Sequence, residues 1–398
     1  MARKIITGID VGTSRIKVVV AEQKGDTNLN ILGLSQKNSE GIRRGYVVDS
    51  EEVSSNIKST IRALEKSNSI PQIKQASIAI GGIGLSSLRS KGSIVISRAD
   101  GEITDYDIKR VLNQCEANLT NVSNKQIIHE IPLLFKIDNS IVQGRPVGMK
   151  GSKLEAETLY ITVLNHHLND LIKSIESADI SVDDIVASPL AASAVVLNTH
   201  QKEVGCVLAN IGANTISIVV FEENRPISLE VFSIGSTHIT NDIALGLQIP
   251  LDEAEKIKLE FNAGSSHPKK QLANIIEARL NDVFELIESH LKKINRNRLL
   301  PAGIILTGGG SNLFSLEEIA RSSLKLPAKV ASPLSLQNIG INISGMYKDQ
   351  VINDPRWSVA VGLCVINLKE NFMEGSDLKQ FKGGIKLALK KVFRIFLP

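Results

Sequence analysis

Asp10-Val11-Gly12-Thr13-Ser14 separates two apolar runs near the start of the chain. A turn of this composition can hold phosphate. Gly12 permits a tight turn and close backbone approach to a ligand. Thr13 and Ser14 offer hydroxyls and backbone N–H groups to an anionic oxygen. Asp10, at a strand end, is a candidate for positioning Mg²⁺ through water, because that ion keeps much of its hydration shell. Lys17 adds a positive charge for phosphate. Taken alone, the same residues also describe a simple hairpin turn.

A second segment repeats the arrangement. Asn210 leads into Ile211-Gly212-Ala213-Asn214-Thr215, again between two apolar runs. Thr307 precedes a third candidate, Gly308-Gly309-Gly310-Ser311, where three glycines after an apolar strand let a planar base or a ribose approach the backbone. Glu255 and Lys258 stand three apart in a helical pattern and so share a face. They suit contacts to ribose hydroxyls and base, or a surface ion pair.

The elements that must position these residues alternate between strand and helix. Apolar runs at 5–9 and 16–22 flank the first turn, and VGCVLANIG and TISIVVFE flank the second, about 200 residues later. IKQASIAIGG, residues 92–98, HEIPLLFKI, LEAETLYITVL and PISLEVFSIG complete the expected strands. Helices are expected at 50–67, 105–119, HLNDLIKSIESADI, DDIVASPLAASAVVL, 237–260, 270–295, SLEEIARSSL and SVAVGLCVINL. Alternating strands and helices indicate an α/β architecture. A duplicated strand-turn-strand element implies two lobes with a ligand between them. From Lys369 the composition turns polar and glycine-containing, which predicts a linker.

Composition narrows the classes. The chain has 398 residues, 42% hydrophobic and 22% charged, enough for a large core. Three scattered cysteines give neither a disulfide framework nor zinc spacing, so a reducing cytoplasm is expected. No run is long enough to span a bilayer, and the N-terminus lacks the form of a cleavable signal peptide. The net charge is +4, from 46 basic and 42 acidic residues. Residues 382–398 hold five of those bases and no acid; without them the chain has 41 basic and 42 acidic residues, a net of −1. The excess positive charge is local, which argues against a nucleic-acid-binding face.

The order of these loops resembles the actin/Hsp70/sugar-kinase ATPase superfamily, and within it the FtsA family of bacterial cell-division actin homologues. The resemblance is carried by GIDVGTSRIKVVVAE, SEGIRRGYVVD, IGGIGLSSLRSKGSIVISRADGEITDYDI, HEIPLLF, RPVGMKGSKLE, THITNDIA, LDEAEKIK, ILTGGGSNL and NDPRWSVAVGL. It implies an actin-like two-lobed ATPase fold with duplicated mixed-sheet cores, an inserted small α+β domain and a C-terminal amphipathic helix. It further implies subdomain 1A at 1–80, 164–197 and 355–368, and the FtsA-type insert 1C at 81–163. Subdomain 2A then falls at 198–236 and 300–354, and 2B at 237–299. ATP and Mg²⁺ are the implied cofactors, with Gly235 beside the second loop. Two departures bear on turnover. Asn210 stands where the superfamily's second loop begins with Asp. Ser188 stands where Glu or Gln often orients the attacking water, a main element of phosphoryl transfer. Binding is therefore expected, with slow or absent hydrolysis.

After a linker at 369–384, residues 385–397 read IKLALKKVFRIFL. At helical spacing, Ile385, Leu389, Val392, Phe393 and Phe396 share a face, Lys386, Lys390 and Arg394 form the opposite stripe, and Leu397 borders it. Such a helix is roughly 20 Å long, too short for a hydrocarbon core of about 30 Å. It has the form of a helix lying in an anionic membrane surface. The resemblance implies filaments on the inner leaflet at the division septum, recruitment of later divisome proteins, and docking of the acidic FtsZ tail near Lys292, Lys293, Arg296 and Arg298. Three other readings compete. A sugar kinase needs a carboxylate base that Asn210 and Ser188 do not supply. An Hsp70-like chaperone needs a peptide-binding domain, and only residues 369–398 follow the last core helix. A PilM-like pilus adaptor shares the fold and the insert, and lacks the reason for a basic amphipathic tail.

Overall fold

The apolar segments KIITGIDV and RIKVVVAEQ form β1 (Lys4–Val11) and β2 (Arg15–Gln23), which pair antiparallel with Asp10 opposite Lys17. These coordinates are a computed structural model that describes residues 4–25, 27–66, 70–120, 122–261, 269–313, 315–333 and 342–377. β3 (Asn28–Asn38) continues the meander. A short ribbon follows, β4 (Ile42–Arg43) and β5 (Tyr46–Val47). Its two turn residues, Arg44 (φ 52°) and Gly45 (φ 81°), are both left-handed, the turn type that matches strand twist. Gly45 packs so closely on the backbone of Gly82 that an added Cβ would lie 2.5 Å from the Gly82 Cα. Helix α1 (Ser50–Glu65) is capped by Asp49, whose carboxylate accepts from the N–H groups of Glu51 and Glu52. Parallel strand β6 (Gln75–Ile80) lies beside β1.

An antiparallel sheet with its own core comes next. It comprises β7 (Ser86–Val95), α2 (Asp105–Ala117), β8 (Lys125–Ile137), β9 (Ser140–Val142) and β10 (Lys153–Leu164), in strand order β7-β10-β8-β9. α2 packs on β7 and β10 over Ile103, Val111, Cys115, Phe135 and Tyr160. β7 covers 86–95, earlier than the 92–98 expected from alternation. Its first half, SSLRS, is polar because Ser87 and Arg89 reach across to another sheet, described below.

The chain then returns through α3 (Asn165–Glu176), β11 (Ser181–Ala187) and α4 (Ser188–Val196). DDIVA is strand rather than helix approach. The helix begins at Ser188, with Pro189 in the first turn, where a missing N–H costs nothing. All nine residues of α4 are buried, as a helix apolar on every side requires.

The second half begins with α5 (Thr199–Val204), then β12 (Cys206–Ile211), β13 (Ile216–Glu222) and β14 (Arg225–Phe232). Helices α6 (Ser236–Leu247), α7 (Leu251–Glu260) and α8 (Lys269–Lys293) follow. The single helix expected over 237–260 is two, divided where Gln248 turns left-handed and Pro250 caps α7. β15 (Ile304–Thr307), α9 (Leu316–Leu324) and β16 (Ala328–Val330) complete this lobe. β17 (Asn342–Ser344) then pairs with β3, and α10 (Lys348–Ile352) and a 3₁₀ turn, Pro355–Trp357, lead to α11 (Ser358–Asp377). The backbone of α11 is helical to Asp377, past the linker boundary expected at Lys369. Residues 378–398, and with them the amphipathic segment 385–397, lie outside the described residues.

The two large sheets share one topology. The orders β3-β2-β1-β6-β11 and β14-β13-β12-β15-β16 run antiparallel, antiparallel, parallel, parallel in both. α4 and α11 pack between them. The helices cross so closely that a Cβ on Gly362 would lie 1.9 Å from the carbonyl oxygen of Ala191. Among the described residues, no helix is long and apolar enough to cross a membrane.

Candidate functional site

Between the lobes lies a cleft of about 510 Å³, within the usual range for a small-molecule site. Both predicted hairpin turns reach it, and they close alike: Gly12 N–H donates to Arg15 O at 3.2 Å, and Gly212 N–H to Thr215 O at 2.9 Å. The cross-strand partners are also equivalent, Asp10 opposite Lys17 and Asn210 opposite Ser217. In the first hairpin Lys17 Nζ donates to Asp10 Oδ2 at 3.0 Å, with both side chains largely buried. In the second hairpin both positions are neutral. The second hairpin therefore holds neither a carboxylate nor an ammonium at these positions, and no charge there is left unpaired.

Each turn is braced from behind. Gly45 N–H on the β4–β5 ribbon donates to Thr13 Oγ1 at 3.0 Å. Buried His167 donates from Nε2 to Gly81 O at 2.9 Å, and its ring packs on Tyr46. Burial pushes the His167 pKa down, so the ring is neutral. On the other side, Ser236 N–H and Thr237 N–H at the start of α6 donate to Gly212 O (3.0 Å) and Ala213 O (2.8 Å). A Cβ on Gly235 would lie 2.4 Å from Ala213 O, which requires glycine there.

The Gly308–Gly310 turn sits against the second hairpin. At Gly308 (φ 94°) a Cβ would lie 2.3 Å from Asn210 Oδ1. Gly309 is different: the only atom within 4 Å of an added Cβ is Arg356 Cγ, at 3.9 Å. Its bare backbone therefore faces open space in the cleft, as a surface for a flat ligand should.

Asp10, Gly12, Thr13, Ser14, Lys17, Asn210, Gly212, Ala213, Thr215, Glu255, Lys258 and Gly308–Gly310 all line the cleft, as does Ser188. Asn214, Gly235 and Ser311 are not among the lining residues. The Ser311 hydroxyl is buried and donates to Gly308 O at 2.8 Å, so it shapes the turn. Lys258 is more enclosed than an i, i+3 surface pair. Its ammonium donates to Glu255 Oε2 (2.7 Å), Thr240 Oγ1 (2.8 Å) and Ser236 O (3.2 Å), fastening α7 to α6. Glu255, with its side chain 45% exposed, remains at the lip. Sequence reasoning assigned no role to Gly45, Gly81, Gly82, Ser217, Leu259 or Arg356, which also line the cleft. The segments SEGIRRGYVVD and NDPRWSVAVGL carry Gly45 and Arg356, without any local pattern that aims them inward.

Away from the cleft, the basic end of α8 is mostly paired. Lys292 binds Glu288 at 2.8 Å, Arg298 approaches the same carboxylate at 4.0 Å, and Arg296 holds Glu222 at 2.6 Å. Lys293 makes no ion pair among the described residues. No cluster of three or more His, Cys, Asp or Glu that could hold a metal occurs among those residues.

Two sheets that share one five-strand topology, a cleft between them and an inserted antiparallel sheet define an actin-like ATPase fold. The solved PilM–PilN type IV pilus biogenesis complex shares it, with a TM-score of 0.66 at 15% identity, covering 92% of this chain and 98% of that one. The family model for cell division protein FtsA matches residues 207–362, and that for the SHS2 domain inserted in FtsA matches residues 82–162. Cell division protein FtsA of Pseudomonas aeruginosa is 29% identical, covering 92% of this chain and 90% of its own. That of Streptococcus pneumoniae is 30% identical, covering 84% and 77%. The chain belongs to the FtsA family of cell division proteins.

Proposed function

We propose that the protein binds ATP with Mg²⁺ in the cleft, assembles into actin-like filaments, and ties the FtsZ ring to the cytoplasmic face of the cell membrane at the septum. The observation that carries this reading is FtsA-family membership joined to a cleft walled by two matching hairpin turns and a bare glycine turn. Thr13, Ser14 and Thr215 supply hydroxyl donors for phosphate oxygens, and Gly12 and Gly212, whose own N–H groups close the turns, let the backbone approach them. Lys17 offsets their charge, and Asp10 orients metal-bound water. One carboxylate suits Mg²⁺ held mainly by water and phosphates. Bound Mg·ATP supplies a polyanion and a base that bridge the lobes. Their relative angle, and so the surface offered to a neighbouring subunit, then depends on nucleotide.

Turnover is slow or absent. Asn210 adds no charge opposite Asp10, and Ser188 is too short and too weak a base to activate water. The inserted domain at 81–163 meets later divisome proteins, and the FtsZ tail docks on 237–299. At the end of α8, Lys293 makes no ion pair among the described residues, whereas Arg296 is already committed to Glu222. Residues 385–397 bind the anionic membrane, each basic residue adding about 1 kcal/mol. A row of such helices along a filament binds by avidity. A PilM-like pilus adaptor shares the fold, but the FtsA-specific insert model and the FtsA relatives favour division.

Co-sedimentation with anionic vesicles tests the tether. The full chain should pellet, more so with ATP, and a chain ending at Asp377 should not. The end point keeps α11 whole. Equal binding by the shortened chain would remove the tail as anchor, and binding by neither would favour a soluble adaptor.

A further inference from the structure

We infer that His129 and His167 are positioning residues: from the junction of the inserted sheet with the first lobe, they hold the two strand ends that bring Gly81 and Ser188 to the cleft. This rests on the nucleotide reading above and adds to it the contacts by which the insert shapes the phosphate end of the site.

Strands β6 and β11 end side by side, with Ile80 opposite Ala187. The next residues, Gly81 and Ser188, both line the cleft, and a Cβ on Gly81 would lie 3.1 Å from Ser188 Oγ. Each strand end is held by an imidazole that is 2% exposed. His167 Nε2 donates to Gly81 O at 2.9 Å, and His129 Nε2 accepts from Ala187 N–H at 3.0 Å. Neither Nδ1 has a hydrogen-bond partner among the described residues. Both rings therefore act at Nε2 alone. A buried polar group with one nitrogen unpaired is a poor core filler, so what each ring contributes is its single bond to the backbone. Burial lowers the His129 pKa to about 3, which keeps its Nε2 able to accept at neutral pH.

Both histidines sit where the insert meets the first lobe. His167 lies in the first turn of α3, directly after β10. His129 lies on β8, where the register with β10 slips by one residue at Ile128. Bulges of this kind re-aim neighbouring side chains. A second slip, at Leu133, places that residue's carbonyl on Arg225 Nη1 of β14, in the second lobe. One strand of the insert is thus bonded both to the peptide before Ser188 and to the opposite lobe. The effect extends to the first hairpin turn, because Gly82 packs against Gly45, whose N–H donates to Thr13 Oγ1 at 3.0 Å. A displacement of β8 therefore reaches the groups that would hold phosphate.

The test compares His129→Gln with His129→Asn, and His167→Gln with His167→Asn, in the full chain. A glutamine amide reaches the Nε2 position and can accept or donate there, whereas an asparagine amide stops short of it. Calorimetry measures binding of ATP and of inorganic tripolyphosphate, and amide exchange over residues 186–191 is followed without ligand. His129→Asn and His167→Asn should each weaken both ligands about tenfold, the equivalent of one hydrogen bond. His129→Asn should also speed exchange at Ala187 about tenfold. Both glutamine variants should behave like the parent. Leu324→Ala, a core change in the second lobe outside the cleft lining, controls for general loosening and should leave binding unchanged. Faster exchange with unchanged binding of either ligand in the asparagine variants would overturn the inference and leave the nucleotide reading intact. Equal losses in glutamine and asparagine variants, or the same loss in Leu324→Ala, would also overturn it. Failure of the parent chain to bind ATP and tripolyphosphate would overturn both readings.

Discussion

Removing the side chains that join the inserted sheet to the second lobe should loosen a defined strand edge. One edge of β14 pairs with β13 and the other faces β7. No ladder joins β14 to β7; side chains bridge them instead. Ser87 Oγ donates to Leu229 O (2.9 Å) and accepts from Leu229 N–H (2.8 Å). Arg89 donates from Nε and Nη2 to Ile227 O (3.1 and 2.7 Å). Each neutral bond contributes about 1 kcal/mol, and charge-assisted ones about 1.5–3 kcal/mol. Arg89 is 42% exposed, so water would recover part of its contribution. Ser87→Ala should therefore cost about 1–2 kcal/mol locally, and Arg89→Ala about 1 kcal/mol. At about 1.4 kcal/mol per tenfold, amide hydrogen exchange over residues 225–232 should speed up roughly tenfold in Ser87→Ala. Arg89→Ala should change it less, because it bonds a carbonyl and no amide. Exchange in α2 and β12 serves as the internal control. Unchanged exchange over 225–232 in the folded double variant would refute the reasoning. A uniform rise across all peptides would show global destabilisation rather than an opened seam. The same seam constrains the lobes. The insert springs from the first lobe and is fastened to the second, so lobe rotation must strain or slide these contacts.

Acidification should destabilise the protein before its ordinary carboxylates titrate. Burial pushes the pKa of His129 down to about 3, and burial with the nearby Lys293 charge pushes His290 to about 4. Unfolded histidines titrate near about 6.5, so the unfolded chain binds more protons below that pH. Stability is complete above pH 6.5 and falls as the pH drops toward 4, by about 1.4 kcal/mol per pH unit for each histidine. Urea midpoints at pH 7 and pH 5 measure the drop, and His129→Gln should flatten it; equal midpoints would contradict the assignment. Asn210→Asp should raise Mg²⁺-dependent ATP turnover about tenfold or more by adding a charge opposite Asp10, and phosphate release measures it. No change would mean that Ser188 alone limits hydrolysis.

Where the fold was legible, the signal was local. The hairpins flanking residues 11–15 and 211–215 announce themselves through apolar runs interrupted by glycine. Elements whose character is set by distant partners were not legible. β7 begins in the polar run SSLRS because Ser87 and Arg89 serve β14, about 140 residues away in sequence. The β4–β5 ribbon is too short for any periodicity. In the site, an i, i+3 spacing of Glu255 and Lys258 is the same whether the lysine is exposed or enclosed. Its burial follows from α6 turning back over α7 at Pro250. Arg356 enters the cleft only because α11 packs between the two sheets. Ser311 looked like a ligand contact because a serine after Gly₃ and a serine donating back into the turn have the same local sequence.

On the proposed reading, the two hairpins differ in charge while sharing a backbone, so binding and catalysis would depend on them differently. Their backbones close with the same hydrogen bond, and their turns reach the same cleft. Affinity drawn from N–H groups, hydroxyls and bare glycine backbone therefore survives in both lobes. Catalysis depends on charge placed where charge develops in the transition state, and only the first hairpin carries any. Had Asn210 replaced an Asp while a lysine stayed at position 217, the second lobe would hold an uncompensated cation beside the phosphates. With neither charge, the second hairpin presents a neutral wall. Under the proposed function, such a site suits a nucleotide that holds two lobes in register for assembly, where slow turnover would set a long residence in the assembly-competent state.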